Sequence, residues 1–383
     1  MDFTLSEGQR LFTEAVRRFA QTRLPADALK RAHDPRFPFD VAKMAADQGL
    51  LGITLPEADG GQGGSLFDAV IAIEQVALAC PRSADVIQAG NFGPIRTLAE
   101  YANPAQKKRF LPDLLAGRAV ISLGMSEPEA GSAVTDLQTT ARPEGGGYVI
   151  SGSKVFSTHS ADAALFLVYV RFGPGVEGIG SVVVERGTPG FTIGRPSAFM
   201  SDEEWRQLYF EDCRIPAENV LLGAGGFKKQ IAGFNVERIG NAARSLALGR
   251  HAFNLAREHA LSRRQFGRPL CDFQGLQWKF ADMAMKLDAA QLLLYRAAAN
   301  ADENGLPSAY ETAAAKAYCN QAGFEVANEA VQVMGGLGYS RESLAEYCMR
   351  RTRGWMIAGG SVEMMKNRIA EHVFDRRFDQ RRT

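Results

Sequence analysis

No pair of cysteines in this chain has redox or metal spacing: Cys80, Cys213, Cys271, Cys319 and Cys348 are scattered, odd in number and form no C-x-x-C. That excludes a disulfide framework and a zinc site, and the five read as reduced, buried thiols. Histidine is as sparse, with five residues and no H-E-x-x-H. His251 and His259 on one helix read as surface decoration, so no metal is expected. Charge of one sign is missing too: 44 basic residues stand against 43 acidic ones, which argues against nucleic acid or an anionic membrane as partner. No run approaches 18 apolar residues, and Met1 to Ser6 lacks a basic stretch followed by an apolar core. The expectation is a soluble, untargeted, cytoplasmic protein without membrane insertion. No G-x-G-x-x-G opens a helix, since Gly223, Gly225 and Lys228 miss the spacing, so a Rossmann dinucleotide site is not expected.

What remains is a full-sized globular chain of 383 residues, long enough for two or three domains and a real core. From Ser6 to about Gly117 apolar residues such as Leu11, Phe12, Ala15 and Phe19 recur at helical spacing, with breaks at Pro25, Pro35 to Pro38, Pro56 to Gly64 and Asn103-Pro104. The signature then changes to short runs, Tyr148 to Ile150, Leu165 to Val170 and Ser181 to Val184, between Gly/Pro turns. Alanine-rich amphipathic segments follow at Asn241 to Leu261, Gln274 to Asn300 and Ala313 to Val333. The pattern predicts an α+β multidomain protein: an N-terminal α-helical domain (1–118), a middle antiparallel, β-barrel-like domain (119–226) and a C-terminal four-helix bundle (227–383).

Four clusters carry chemistry. Gly124-Met125-Ser126-Glu127-Pro128-Glu129-Ala130-Gly131-Ser132 and Lys154-Val155-Phe156-Ser157-Thr158 gather glycine, hydroxyls and free backbone amides, as a polar ligand edge needs; a Gly/Pro surface turn is the alternative. Arg263-Arg264-Gln265-Phe266-Gly267-Arg268, followed by Phe273-Gln274, pairs guanidinium forks with aromatic rings, which suits a pyrophosphate and a flat ring as well as it suits a helix C-terminus. Gln332 to Tyr339 ends a helix with three glycines where a plain cap needs one.

In this order the clusters closely resemble the acyl-CoA dehydrogenase family, along essentially the whole chain to Gly359-Gly360-Ser361-Val362-Glu363. The resemblance implies FAD as cofactor. It implies that Met125, Ser126 and Thr158 contact the flavin ring, with Phe156 packed on it where members commonly have tryptophan. It assigns Arg263, Phe266 and Gln274 to the ADP half across a subunit boundary, Gln332, Gly335 and Gly336 to the pyrophosphate and adenosine, and Ser361 and Glu363 to the adenosine or ribose. Ser132 and Arg238 resemble the positions that hold the CoA thioester. A homo-oligomer, usually a tetramer, and an electron-transfer flavoprotein as acceptor are implied as well.

One departure matters. Where many members carry the catalytic glutamate of Ile-Tyr-Glu-Gly-Thr, this chain has Ile357-Ala358-Gly359-Gly360-Ser361. A branch that resembles the isovaleryl and long-chain enzymes places its base earlier, before an arginine, and here that pair reads Glu237-Arg238. On the helix Ile231, Phe234, Ile239, Ala242 and Leu246 form the core stripe with Glu237 off its centre. Gly233 and Gly240 leave its face bare, and a solvated surface glutamate is the alternative. Ala358 and Gly359 remove side-chain volume beside the acyl group, so a branched, cyclic or aromatic chain is expected. Two other readings stand beside α,β-dehydrogenation of an acyl-CoA. One is a lyase like the 3-sulfinopropionyl-CoA desulfinases, which resemble this chain around Ile357 and Gln265 but carry glutamine at Glu237 and arginine at Asp85. The other is a non-catalytic partner subunit.

Overall fold

Ser6 starts the first helix: its hydroxyl accepts from the Gln9 amide at 3.2 Å while the Gln9 side chain accepts from the Ser6 amide at 3.0 Å, a reciprocal cap. This is a computed structural model that describes residues 5–301 and 306–378. Met1 to Thr4, most of the stretch that lacks a leader pattern, lie outside the described residues. In chain order α1 (Glu7–Arg23), α2 (Ala28–Ala32), α3 (Phe39–Asp47), α4 (Leu66–Ala79), α5 (Ala84–Asn91), α6 (Pro94–Tyr101) and α7 (Pro104–Leu115) come first. Asn103 caps α7 with Pro104 at its first position, where a missing amide proton costs nothing.

Eight strands then form one sheet: β1 (Ile121–Gly124), β2 (Thr140–Glu144), β3 (Gly147–Thr158), β4 (Leu165–Arg171), β5 (Ile179–Glu185), β6 (Phe191–Ala198), β7 (Glu204–Pro216) and β8 (Val220–Leu222). Their order is β6-β7-β3-β2-β4-β5-β8, with β1 beside β4. The helical, sheet and helical succession is the one the sequence predicts, but the sheet is mixed. β1 runs parallel to β4, and β2 meets β4 in parallel at Thr140 and Arg171. These strands are not joined by hairpins, so nothing forces them antiparallel. The chain returns to helix with α8 (Phe227–Ser262), a two-stranded hairpin of β9 (Arg264–Gln265) and β10 (Arg268–Pro269), then α9 (Gln274–Ala299), α10 (Ala309–Met334), α11 (Gly336–Tyr339), α12 (Leu344–Trp355) and α13 (Val362–Val373).

The chain divides into two compact units. In the unit of residues 33–65 and 86–234, α6 and α7 bury Leu98, Phe110 and Leu111 with Ile121, Leu167 and Val183 of the sheet. In the unit of residues 1–32, 66–85 and 235–383, α4 is buried over most of its length and α8, α9 and α10 bury Leu246, Leu287, Leu294 and Val326. Here α8 and α10 come backbone to backbone: a Cβ on Gly323 would lie 2.3 Å from the Ser245 carbonyl oxygen. His251 belongs to this core and not to the surface; its Nδ1 is 3.0 Å from the Leu78 carbonyl and burial lowers its pKa to about 4. Around it α8 has a wet face, with Asn254, Arg257 and Glu258 exposed, but His251 lies on the other face, against α4. Four of the cysteines are buried and Cys271 is partly exposed, and all five are free.

Buried Glu74 of α4 accepts from the Tyr295 hydroxyl at 2.7 Å, and burial raises its carboxyl to about 7 from an ordinary 4.5. The fold therefore favours the protonated acid, and its contribution to stability is full below pH 4.5 and lost as pH rises to about 7. Glu74→Gln, which keeps an acceptor for Tyr295 but carries no charge, is expected to be about 1–3 kcal/mol more stable than wild type at pH 8 and about equally stable at pH 5. Denaturant melts at the two pH values check this, and a variant weaker at both would contradict it.

Candidate active site

In the sheet unit, β1 ends at Gly124 and delivers Met125 to Ser132. The segment is anchored by a buried ion pair: Glu127 accepts from Lys154 Nζ at 2.7 Å and from the Gln138 and Thr139 amides at 2.6 and 2.9 Å. Lys154 also donates to the Met125 carbonyl at 3.3 Å, and the Val155 amide donates to the Ser126 carbonyl at 2.9 Å. Burial pushes Glu127 up, but Lys154 and the amides outweigh it and leave the carboxyl below its ordinary value. Burial brings Lys154 down to about 8 against the pull of Glu127. Met125 and Ser126 are thus held along β3 by paired charges.

Phe156 stands where β3 loses register with β7, between Lys154 and Ser157. Its φ of 56° is left-handed, which a residue with a Cβ adopts at a cost, and its ring is 58 % exposed beside Trp205, 4.6 Å between centroids. A strained bulge that turns an aromatic ring outward is a platform for a flat partner. Thr158 is exposed two residues on, its carbonyl accepting from the Ser122 hydroxyl at 2.6 Å. Ser126 is half-buried, Ser132 exposed, and nothing lies within 4 Å of a Cβ built on Gly131.

In the helical unit, Arg263 follows α8 and receives the Leu270 amide on its carbonyl at 2.9 Å. Phe266 at the tip of the β9–β10 hairpin has a φ of 51° and is 94 % exposed. Gln274 opens α9 and Gln332 lies in the last turn of α10, both exposed. Gly335 turns the chain at φ 61°, and a Cβ on Gly335 or Gly336 would meet nothing within 4 Å. Ser361 caps α13 by accepting from the Met364 amide at 3.3 Å, with Glu363 exposed in the first turn.

Glu237, half-buried on α8, belongs to the same unit. Its charge acts on Arg244, two turns along α8, and on Lys316 of α10. Lys316 is fully buried; it donates to the Trp355 and Gly360 carbonyls at 3.2 and 2.7 Å, and burial, with Arg238 adding to it, lowers its pKa to about 7. Arg238 Nε donates to the Gly359 carbonyl at 3.1 Å. The turn that replaces the usual glutamate is therefore clasped from α8 and α10, with Ala358 exposed on it. Behind it Asp85 accepts from three buried arginines, Arg82 at 2.5 Å, Arg244 at 2.6 Å and Arg351 at 2.9 Å, the last two lying against Trp355.

Three sequence expectations change here. Gly233 and Gly240 are buried, so the face beside Glu237 carries little side chain but is covered. Of the proposed stripe, Phe234, Ile239, Ala242 and Leu246 are buried while Ile231 is half-buried, because it lies in the first turns of α8. The space at Gly359 is not vacant: a Cβ there would lie 2.6 Å from Asn241 Nδ2 and 3.4 Å from Lys316 Cε. Sequence reasoning missed Asn241, Lys316 and the arginine cluster. Asn241 stands four residues after Glu237, so the same-face rule would have found it.

Models of the acyl-CoA dehydrogenase N-terminal, middle and C-terminal domains match residues 6–118, 122–213 and 224–374. The chain belongs to the acyl-CoA dehydrogenase family. Among its relatives within and around that family, a 3-sulfinopropanoyl-CoA desulfinase of Paraburkholderia xenovorans is 33 % identical, with each chain covered in full. The structure of butyryl-CoA dehydrogenase from Megasphaera elsdenii superposes with a TM-score of 0.91 at 31 % identity, covering 98 % of this chain and all of that one. An FAD complex of PigA matches with a TM-score of 0.90 at 25 % identity, over 98 % and 99 % of the two chains.

Proposed function

We propose that this acyl-CoA dehydrogenase family member binds FAD and converts an acyl-CoA thioester to its trans-2-enoyl-CoA, with Glu237 as the base. The observation that carries the reading is that the charge of Glu237 reaches Lys316, which donates to the Gly360 carbonyl, while Arg238, the next residue on α8, donates to the Gly359 carbonyl. This supports a carboxylate acting from α8 in place of the one that the family's other branch carries at this turn. Glu237 takes the proton α to the thioester, Arg238 and the turn orient the acyl group, and the family resemblance assigns Ser132 to the CoA thioester as well. FAD, when bound, supplies the acceptor for the β-hydrogen, which leaves as hydride. An electron-transfer flavoprotein as the next acceptor and a homotetramer complete the proposal.

The residues fit a flavin. Phe156 offers a strained, outward-facing ring, Met125 and Ser126 are held along the same strand by Lys154 and the Val155 amide, and Gly335 and Gly336 leave backbone open for a pyrophosphate. Phe156 keeps an aromatic face but lacks the indole donor of tryptophan. Arg263→Ala is expected to lower FAD retention by a charge-assisted bond, about 1.5–3 kcal/mol. Equilibrium dialysis of the cofactor checks this, and an unchanged affinity would contradict the role of Arg263.

One observation favours a lyase. The desulfinase relative is 33 % identical, and although Asp85 replaces the arginine of that group, Arg82, Arg244 and Arg351 surround it. The position thus does not discriminate, and the choice rests on Glu237, a base that a desulfinase does without. Exposed Ala358 supports a bulky acyl chain, while Asn241 fills the space at Gly359. The test is anaerobic mixing with straight, branched, cyclic and aromatic acyl-CoA thioesters. Flavin bleaching by some of them is expected; bleaching by none would overturn the proposal.

A further inference from the structure

Asn241 lies one turn beyond Glu237 on the same face of α8 and is 3 % exposed. Its carbonyl is committed: Oδ1 accepts from Arg244 Nη2 at 2.8 Å, while Arg244 Nη1 donates to Asp85 at 2.6 Å. The amide orientation is therefore locked from behind by a buried ion cluster, with the NH2 group directed away from it. That group donates to no other residue among those described, and it sits 2.6 Å from where a side chain on Gly359 would begin. The position that the family resemblance assigns to a glutamate in other members therefore faces two amide protons here.

We infer that Asn241 is a specificity-determining residue that donates a hydrogen bond to an oxygen on the acyl chain, so that the substrates are thioesters bearing a carbonyl or carboxylate oxygen beyond the reacting carbons. The inference rests on Glu237 being the base, since that places the α-carbon. Four residues of helix advance about 6 Å, which sets the oxygen about three carbons past the α-carbon. A hydrocarbon chain would cover the amide and leave both protons without an acceptor, and a site that leaves a buried donor unpaired discriminates strongly.

The test uses an isosteric pair, 5-oxohexanoyl-CoA and 5-methylhexanoyl-CoA, on the FAD-loaded protein. Dissociation constants are measured by calorimetry in the Glu237→Gln background and kcat/KM in the enzyme with Glu237 intact. The ketone is expected to be preferred about 10- to 100-fold in both. Asn241→Leu, close in shape and without the donor, is expected to abolish or invert the preference. Asn241→Asp keeps an acceptor for Arg244 while removing the donor, and is expected to lose the preference as well, which covers the case in which the leucine variant does not fold. Equal binding of the two thioesters by the parent, or a ketone preference surviving in either folded variant, would overturn the inference. Flavin reduction by Glu237→Gln at the wild-type rate would defeat the base assignment instead, and the calorimetric preference would still decide the role of Asn241.

Discussion

Glu237→Gln is expected to retain FAD and to bind acyl-CoA thioesters while the rate of flavin reduction falls by about 10²-fold or more. Glutamine keeps the shape and hydrogen-bonding length of the side chain but cannot accept a proton. The neighbours that feel the charge of Glu237, Arg244 and Lys316, are held by other groups, Asp85 and Asn241 for the first and two turn carbonyls for the second. The local structure is expected to survive the change, and binding to separate from chemistry. Moving the carboxylate to position 359 is not an equivalent rescue. A side chain at Gly359 starts from a φ of 72° and meets Asn241 Nδ2 at 2.6 Å, so a Glu237→Gln, Gly359→Glu double variant is expected to recover little unless Asn241 gives way. Stopped-flow absorbance under anaerobic conditions reads both variants. A single variant reducing flavin at the wild-type rate would remove Glu237 from the mechanism.

The second large effect is on stability. Asp85→Asn preserves volume but leaves Arg82, Arg244 and Arg351 around a neutral amide in a site where Asp85 is 1 % exposed. Breaking a buried ion set by deleting one member costs about 3–5 kcal/mol, because the remaining charges stay desolvated. Adding Arg351→Met should recover part of the loss by removing one of the stranded cations, a coupling that independent sites would not show. Chemical denaturation of the single and double variants measures it. An Asp85→Asn protein as stable as wild type would mean that the cluster is compensated by other means.

The order of helical, sheet and helical segments was legible because periodicity survives tertiary context: α8, α9 and α10 contain the three alanine-rich segments, and β3, β4 and β5 contain the short apolar runs. The parallel pairing of β1 with β4 was not, since strand partners distant in sequence leave no local signal. His251 went astray for a related reason: its burial comes from its contact with Leu78 of α4, a partner distant in sequence that leaves no local signal. In the candidate site, residue type marked the segments around Phe156 and the glycines at 335 and 336 as open to a ligand, and only the family resemblance gave those residues roles. What holds them could not be read: Lys154 with Glu127, and Asp85 with Arg244 and Arg351, join segments far apart along the chain. Asn241 and Lys316 are single polar residues in apolar runs, which read as interruptions until the turn they face is known.

The measurement that bears most directly on the account is a single anaerobic turnover of the FAD-loaded enzyme with an accepted acyl-CoA, run beside 3-sulfinopropanoyl-CoA. One equivalent of 2-enoyl-CoA per flavin reduced is predicted for the first, with no sulfite released from the second. Sulfite release with the flavin left oxidised, and no enoyl product from any thioester, would contradict a dehydrogenase driven by Glu237.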